Sequence, residues 1–370
     1  MTRLTVAAAA AASLFAGAAA AELPRSMIWS AYDVGSSGYT EASAIADGLI
    51  RKDGVRVRIM PSGTSIGRLL PLRTGRASYG FLANEVYFAT EALYEFGTQE
   101  WGPQDLRVLL GRQAGFGMMT AANAGVETIA DLRGKRVARV EANPSVNVKV
   151  EAILAFAGLG WGDVEVVEFP SFAASMRGVV EGTVDSAGTV PTGSIVYELE
   201  SSPRGLVWPP IPADDAEGWD RLNAIAPIFQ PLAETVGAGM SAENPAHLIG
   251  YRYPMITTYA STDADEVYAV TKAIVEAFDL YKDVTAAMPR WDAAEAGKPV
   301  QDAPFHEGAI RYLKEAGIWT DEDQTWNDAR LERMKKVQAQ WDAAVEAALD
   351  QKVPGKDWPK FWEEWRAKNL

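Results

Sequence analysis

Three times before residue 90 the chain reads strand, small-residue loop, helix. Met27–Tyr32 is a short apolar run. It breaks at Gly35-Ser36-Ser37-Gly38 and resumes with Ala42, Ile45, Ala46, Leu49 and Ile50 at helical spacing. Val55–Met60 alternates apolar and charged residues, as a half-buried strand does. Pro61-Ser62-Gly63-Thr64-Ser65 interrupts it before a helical pattern through Ile66, Leu69, Leu70 and Leu72. Ala77–Leu82 then precedes Ala83-Asn84-Glu85. This alternation predicts a parallel sheet covered by helices. Loops at the carboxyl ends of parallel strands gather on one edge, where α/β proteins bind ligands. The three loops therefore belong together in space, and their helix N-termini offer N–H groups that favour anions.

A second block repeats the pattern. Leu106–Leu110 and Gly117–Thr120 read as strands, and Val126–Leu132 as a short helix stopping at Gly134. Arg136–Val140 is a strand. Glu141–Asn147 is a loop that leads into a helix through Val150, Ile153, Leu154 and Phe156. Val164–Phe169, helical Ser171–Glu181 and the strand entered at Gly182–Gly188 follow. Residues 203–250 are Pro-rich and read as irregular, Tyr251–Tyr259 as a strand. From Asp263 onward the chain is helical, with a long helix over Arg330–Leu349 and an aromatic tail, Asp357–Arg366, expected to dock on the body.

Bulk properties narrow the function. Arg3, an alanine-rich apolar run and Ala19-Ala20-Ala21 form a secretory signal peptide over residues 1–21, which makes the protein periplasmic. The remaining roughly 350 residues are enough for two lobes, 22–115 with 251–370 and 116–250. No cysteine is present, so stability rests on a buried core. A net charge of −14 argues against nucleic acid as a partner. With His247 and His306 as its histidines, the chain is poorly supplied for a transition-metal site. No Gly-x-Ser-x-Gly, phosphate loop or nucleophile–base motif is present, so the reading is a non-enzyme without a cofactor.

Four segments carry a family likeness. They are the Gly35–Tyr39 loop; Arg56–Ala77 with its Pro-Ser-Gly-Thr-Ser turn; Ile129–Val137 with the later Gly182–Ala187; and Phe305-His-Glu-Gly-Ala through Gly317. Together they resemble the TAXI-type extracytoplasmic solute receptors of TRAP transporters, over nearly the whole exported chain. The resemblance implies an α/β, two-lobe periplasmic binding protein-like fold of type II. Each lobe would be a mostly parallel sheet with flanking helices, and the C-terminal region helical. Strands near Gly117–Thr120 and Tyr251–Tyr259 would act as hinges. It further implies a monomeric receptor that captures a small carboxylate or amino acid, TRAP membrane subunits as partners, and glutamate-like dicarboxylates as usual ligands. The same fold also serves sensor-input or scaffold proteins not coupled to transport.

The expected ligand ring combines Asp33, Gly35, Ser36, Ser37 and Tyr39 with Ser62, Gly63, Thr64, Ser65 and Arg68, then Asn84. Asn143, Ser145, Asn147, Thr189 and Pro191, with Thr192, come from the second lobe. Arg68 is the expected carboxylate clamp, because a guanidinium grips a carboxylate bidentately. Arg139 and Arg252 are reserve partners, and His306 reads as structural. Arg68, Asp33 and Glu141–Asn147 depart from the family pattern at the positions that read the ligand.

Overall fold

The computed structural model describes residues 22–299 and 302–370; the expected signal peptide lies outside them. The strands are β1 (Ser26–Ala31), β2 (Arg56–Pro61), β3 (Tyr79–Leu82), β4 (Leu106–Ala121), β5 (Arg136–Val140), β6 (Glu165–Phe169), β7 (Ser186–Thr189), β8 (Leu206–Val207), β9 (Gln230–Glu234) and β10 (Ala246–Tyr259). The helices are α1 (Ser37–Asp53), α2 (Ser65–Arg73), α3 (Glu85–Thr90), α4 (Pro144–Phe156), α5 (Phe172–Glu181), α6 (Ser194–Ser201), α7 (Ala216–Ile225), α8 (Ala264–Glu276), α9 (Phe278–Tyr281), α10 (Ala293–Ala296), α11 (Glu307–Glu315), α12 (Asp321–Asp350) and α13 (Trp358–Asn369).

The strand order is β2-β1-β3-β10-β4-β7-β5-β6. Strands β2, β1 and β3 are parallel to one another, as are β7, β5 and β6. Between these parallel groups run the two long antiparallel strands, β4 and β10. Residues 106–116 of β4 pair with β10, while Gly117–Thr120 pair with β7. One strand thus belongs to both halves of the molecule. This is the two-lobe α/β architecture expected.

Sequence pattern and structure differ at β4, which is one strand and not two. Its middle, Gly111 to Gly117, reads as a break because glycine weakens strands. Tertiary contacts override that: a methyl on Gly117 would meet Leu248 Cδ2 at 2.6 Å, so the glycine is where two strands approach closely. Residues 203–250 are also more regular than expected, holding β8, α7, β9 and the start of β10. Helix α12 starts at Asp321, ahead of Arg330. A reciprocal cap between Thr320 and Asp323 fixes that start.

The C-terminal helices dock as expected. Trp341 lies 4.9 Å from Trp358 and 4.8 Å from Trp362, ring centre to ring centre. Trp358 Nε1 donates to Gly97 O (2.9 Å), and Trp362 Nε1 to Ala92 O (2.7 Å). At the same place Arg330, Arg333 and Arg366 converge on buried Glu91, the first two at 2.6 and 2.7 Å. Burial alone would raise the pKa of this carboxyl. Arg333 and Arg330 outweigh burial and hold it down at about 2. A depressed carboxyl stabilises the fold above its unfolded pKa and loses that contribution as pH falls toward the folded one. Glu91→Gln is therefore expected to cost about 3 kcal/mol near neutral pH. It should also flatten the decline of the urea midpoint between about pH 4.5 and pH 2.

Candidate functional site

Four of the strand-end loops, those before α1, α2, α4 and α5, turn into a helix through a short polar residue that caps it. Ser36 Oγ accepts from Tyr39 N (3.2 Å), and Thr64 Oγ1 from Gly67 N (3.0 Å). Asn143 Oδ1 accepts from Val146 N (3.3 Å), and Ser171 Oγ from Ala174 N (3.2 Å). The N-terminal ends of α1 and α2 meet those of α4, α5 and α6 across a seam between the two halves.

Direct hydrogen bonds stitch the seam. Asn143 Nδ2 and Phe172 N both donate to Gly63 O, at 3.0 and 3.1 Å. Ser65 Oγ donates to Asn143 Oδ1 (2.8 Å), Ala173 N to Asp33 Oδ2 (2.9 Å) and Ser194 Oγ to Gly35 O (3.2 Å). Three atoms in these loops are buried without a hydrogen-bond partner: Ser37 Oγ, Asp33 Oδ1 and Thr192 Oγ1. Buried polar groups are nearly always paired, so these three atoms stand out among those of the seam.

Beneath the seam lies an aromatic and charged interior. Arg68 is fully buried, and its Nε donates to Glu85 Oε1 at 2.7 Å. Nη2 reaches Ser65 Oγ (3.2 Å) and Nη1 reaches Ser62 O (3.3 Å). The guanidinium carbon sits 3.5 Å from the centre of the Tyr32 ring. Arg68 thus has an internal carboxylate partner, unlike the free clamp expected from the sequence. Tyr32 packs edge-on against Tyr253 (5.0 Å) and Phe172 (5.6 Å), joining the halves. Burial pushes its hydroxyl well above the ordinary phenol range. The Tyr253 hydroxyl accepts from Gly38 N, in the first turn of α1, at 3.1 Å.

From the opposite half, α4 carries Lys149 inward. Its Nζ donates to Asn84 Oδ1 (2.8 Å) and Ser145 Oγ (3.1 Å). Asn84 Nδ2 in turn donates to Asp302 Oδ1 (2.9 Å). Burial lifts the Asp302 pKa to about 6. A separate buried pair, Glu41 with Arg112 and Trp291 Nε1, ties α1 to β4 and the segment before α10.

The structure therefore brings Asp33, Gly35, Ser36, Ser37, Ser62, Gly63, Thr64, Ser65, Asn84, Asn143 and Ser145 to one seam. Other expected residues are occupied locally. Asn147 spans Val140, accepting from its N–H (2.9 Å) and donating to its carbonyl (2.7 Å). Thr189 Oγ1 contacts Met176 Sδ (3.1 Å), and Pro191 O accepts from Ala238 N (3.1 Å). Tyr39 is half-buried, and its backbone N–H completes the α1 cap. Arg139 pairs with Glu168 at the surface (3.0 Å), and Arg252 donates to Gly111 O (3.1 Å) and Glu295 O (3.2 Å). His306 caps α11, accepting from Gly308 N at Nδ1 (3.2 Å).

Sequence reasoning missed Tyr32, Glu85, Lys149, Tyr251 and Tyr253. Lys149 carried a usable signal: it is a lone charge flanked by Val148 and Val150 at the start of a helix that runs on into Ile153, Leu154 and Phe156.

The fold defines the class: a two-lobe α/β protein whose halves share the long strands β4 and β10. The chain belongs to the NMT1-like family, whose pattern matches residues 34–317. A solved structure from Bordetella bronchiseptica RB50 shares the fold. It has 17% identity over 84% of this chain and 98% of that one, with a TM-score of 0.50. More distant likenesses include the alkanesulfonate-binding protein SsuA from Xanthomonas axonopodis pv. citri bound to MOPS. Its identity is 14%, its coverage 80% of this chain and 92% of that one, and its TM-score 0.41. The substrate-binding protein of an amino acid ABC transporter is similar at 11% identity, 72% and 98% coverage and a TM-score of 0.41.

Proposed function

We propose that the protein is a periplasmic solute receptor of a TRAP transporter, exported by a signal peptide over residues 1–21. It captures a small organic acid or amino acid between a lobe of residues 22–115 with 251–370 and a lobe of residues 116–250, and delivers it to membrane subunits. The reading rests on the seam, where capped helix ends from both halves face one another with buried, unpartnered Ser37 Oγ, Asp33 Oδ1 and Thr192 Oγ1. A guest supplying hydrogen-bonding oxygens or nitrogens would satisfy these atoms and hold the halves together. Such a device needs no bond to be made or broken. The open receptor meets solute on the first lobe, and the second lobe closes and adds contacts that favour the closed state.

A ligand that binds only the folded chain raises its melting temperature. In a thermal-shift screen of residues 22–370 against organic acids and amino acids, we expect a dose-dependent rise with at least one acidic compound. Uptake of that compound by reconstituted TRAP membrane subunits should require the receptor. Uptake indifferent to the receptor would remove the transporter assignment.

A further inference from the structure

Lys149 is only 1% exposed. Burying an ammonium is costly unless an anion compensates it. Yet among the described residues Lys149 makes no ion pair: both hydrogen-bond acceptors, Asn84 Oδ1 and Ser145 Oγ, are neutral. Its remaining surroundings are ring faces, with Tyr251 centred 4.6 Å from Nζ and Phe116 4.9 Å. Two carboxylates face it from the other half, and both are engaged elsewhere. Glu85 on α3 is taken by Arg68, and Asp302 is reached only through Asn84. Arg68 on α2 faces it as a like charge. The phenols of Tyr251 on β10 and of Tyr32, just after β1, are neutral, since burial raises both. Burial brings the Lys149 pKa down to about 7, with Glu85 and Asp302 offsetting it only in part.

We infer that Lys149, and not Arg68, grips the acid group of the solute. A small carboxylate with a compact apolar or aromatic body would be the counter-ion this ammonium lacks. This deepens the receptor reading above and rests on it. Because α4 belongs to the half opposite Asn84, closure itself delivers the ammonium to the ligand. The aromatic walls of Tyr32, Phe116, Tyr251 and Tyr253 exclude water and strengthen the pair.

The proton balance gives a signature. In the closed receptor, before solute arrives, burial leaves the amine half neutral near pH 7, and beside a carboxylate it is charged. Binding above that pH therefore takes up a proton, and affinity falls as pH rises. Titration of Asp302 would act lower, near pH 6, so the two are separable.

The test is calorimetric titration of residues 22–370 with L-glutamate, succinate, pyruvate and benzoate, each beside its amide. It is run at about pH 6.5 and about pH 8.5 in buffers of different ionisation enthalpy, on the wild type, Lys149→Met and Lys149→Arg. We expect one of the carboxylates to bind and its amide not to. Uptake should approach one proton at the higher pH. Lys149→Met should weaken binding roughly tenfold or more and abolish uptake. Lys149→Arg, which cannot deprotonate, should bind without uptake. Should Lys149→Met not fold, wild-type uptake and the arginine variant decide. A carboxylate that binds Lys149→Met undiminished overturns the role of Lys149 and leaves the receptor reading standing. If no carboxylate binds the wild type, the carboxylate reading itself fails.

Discussion

Arg68→Ala is expected to lower the stability of the receptor by roughly 3–5 kcal/mol, whether or not ligand is present. The arginine is fully buried and its partner, Glu85, is equally so. Removing the guanidinium strands a buried carboxylate without its ion-pair partner and strips Ser62 O of a donor and Tyr32 of its stacked cation. An uncompensated buried charge costs several kcal/mol, far more than the packing lost with the side chain. The urea midpoint measures the effect. A double-mutant cycle with Glu85→Gln should recover much of the loss, since the second change removes the stranded charge. An Arg68→Ala protein as stable as wild type, but unable to bind acidic ligands, would return Arg68 to the role of clamp.

Gly63→Ala should leave the fold intact and impair closure. Gly63 sits between β2 and α2, and a methyl there would lie 2.3 Å from Ser171 Cβ, 2.7 Å from Asp33 Oδ2 and 3.0 Å from Ser171 Cα. Ser171 caps α5 in the opposite half. Within its own half only the Asp33 carboxylate must shift; against the other half, where Ser171 Cβ and Cα stand in the way, the alanine is a wedge. Closure would also strain the two hydrogen bonds accepted by Gly63 O. We expect small-angle scattering to report a larger radius of gyration for the variant than for wild type. We also expect a ligand found by thermal shift to bind roughly tenfold more weakly or worse, the equivalent of one or two lost contacts. An unchanged radius with unchanged affinity would mean that the loops slide past one another without touching.

Much of the scaffold was legible in the sequence because period and punctuation agree. Strand, capped turn and helix recur, and the caps Ser36, Thr64, Asn143 and Ser171 stand where the helices begin. Strand β4 was not, because its glycines are a liability locally and an asset only where Leu248 and Glu234 press against them. The seam loops were legible as a set because topology alone gathers the ends of parallel strands. The chemistry beneath them was not. Whether Arg68 faces solvent, a ligand or Glu85 depends on how α2 and α3 pack, and Lys149 gains its meaning only from Asn84, 65 positions earlier. Pairings of this range follow from tertiary packing, which local pattern does not encode.

Strand β10 has a second consequence. Tyr251 and Tyr253 stack in the interior beneath the seam, yet they stand on a strand whose register with β4 shifts between Arg252 and Met255. In the proposed receptor the flexing element and the gripping surface would be one piece of backbone. A solute that reorients either ring therefore alters the curvature of the ribbon joining the halves, and any change in that curvature reshapes the grip. Stiffening the ribbon far from the rings should shift residence times for every solute together, as re-tensioning a spring changes the force at both of its ends.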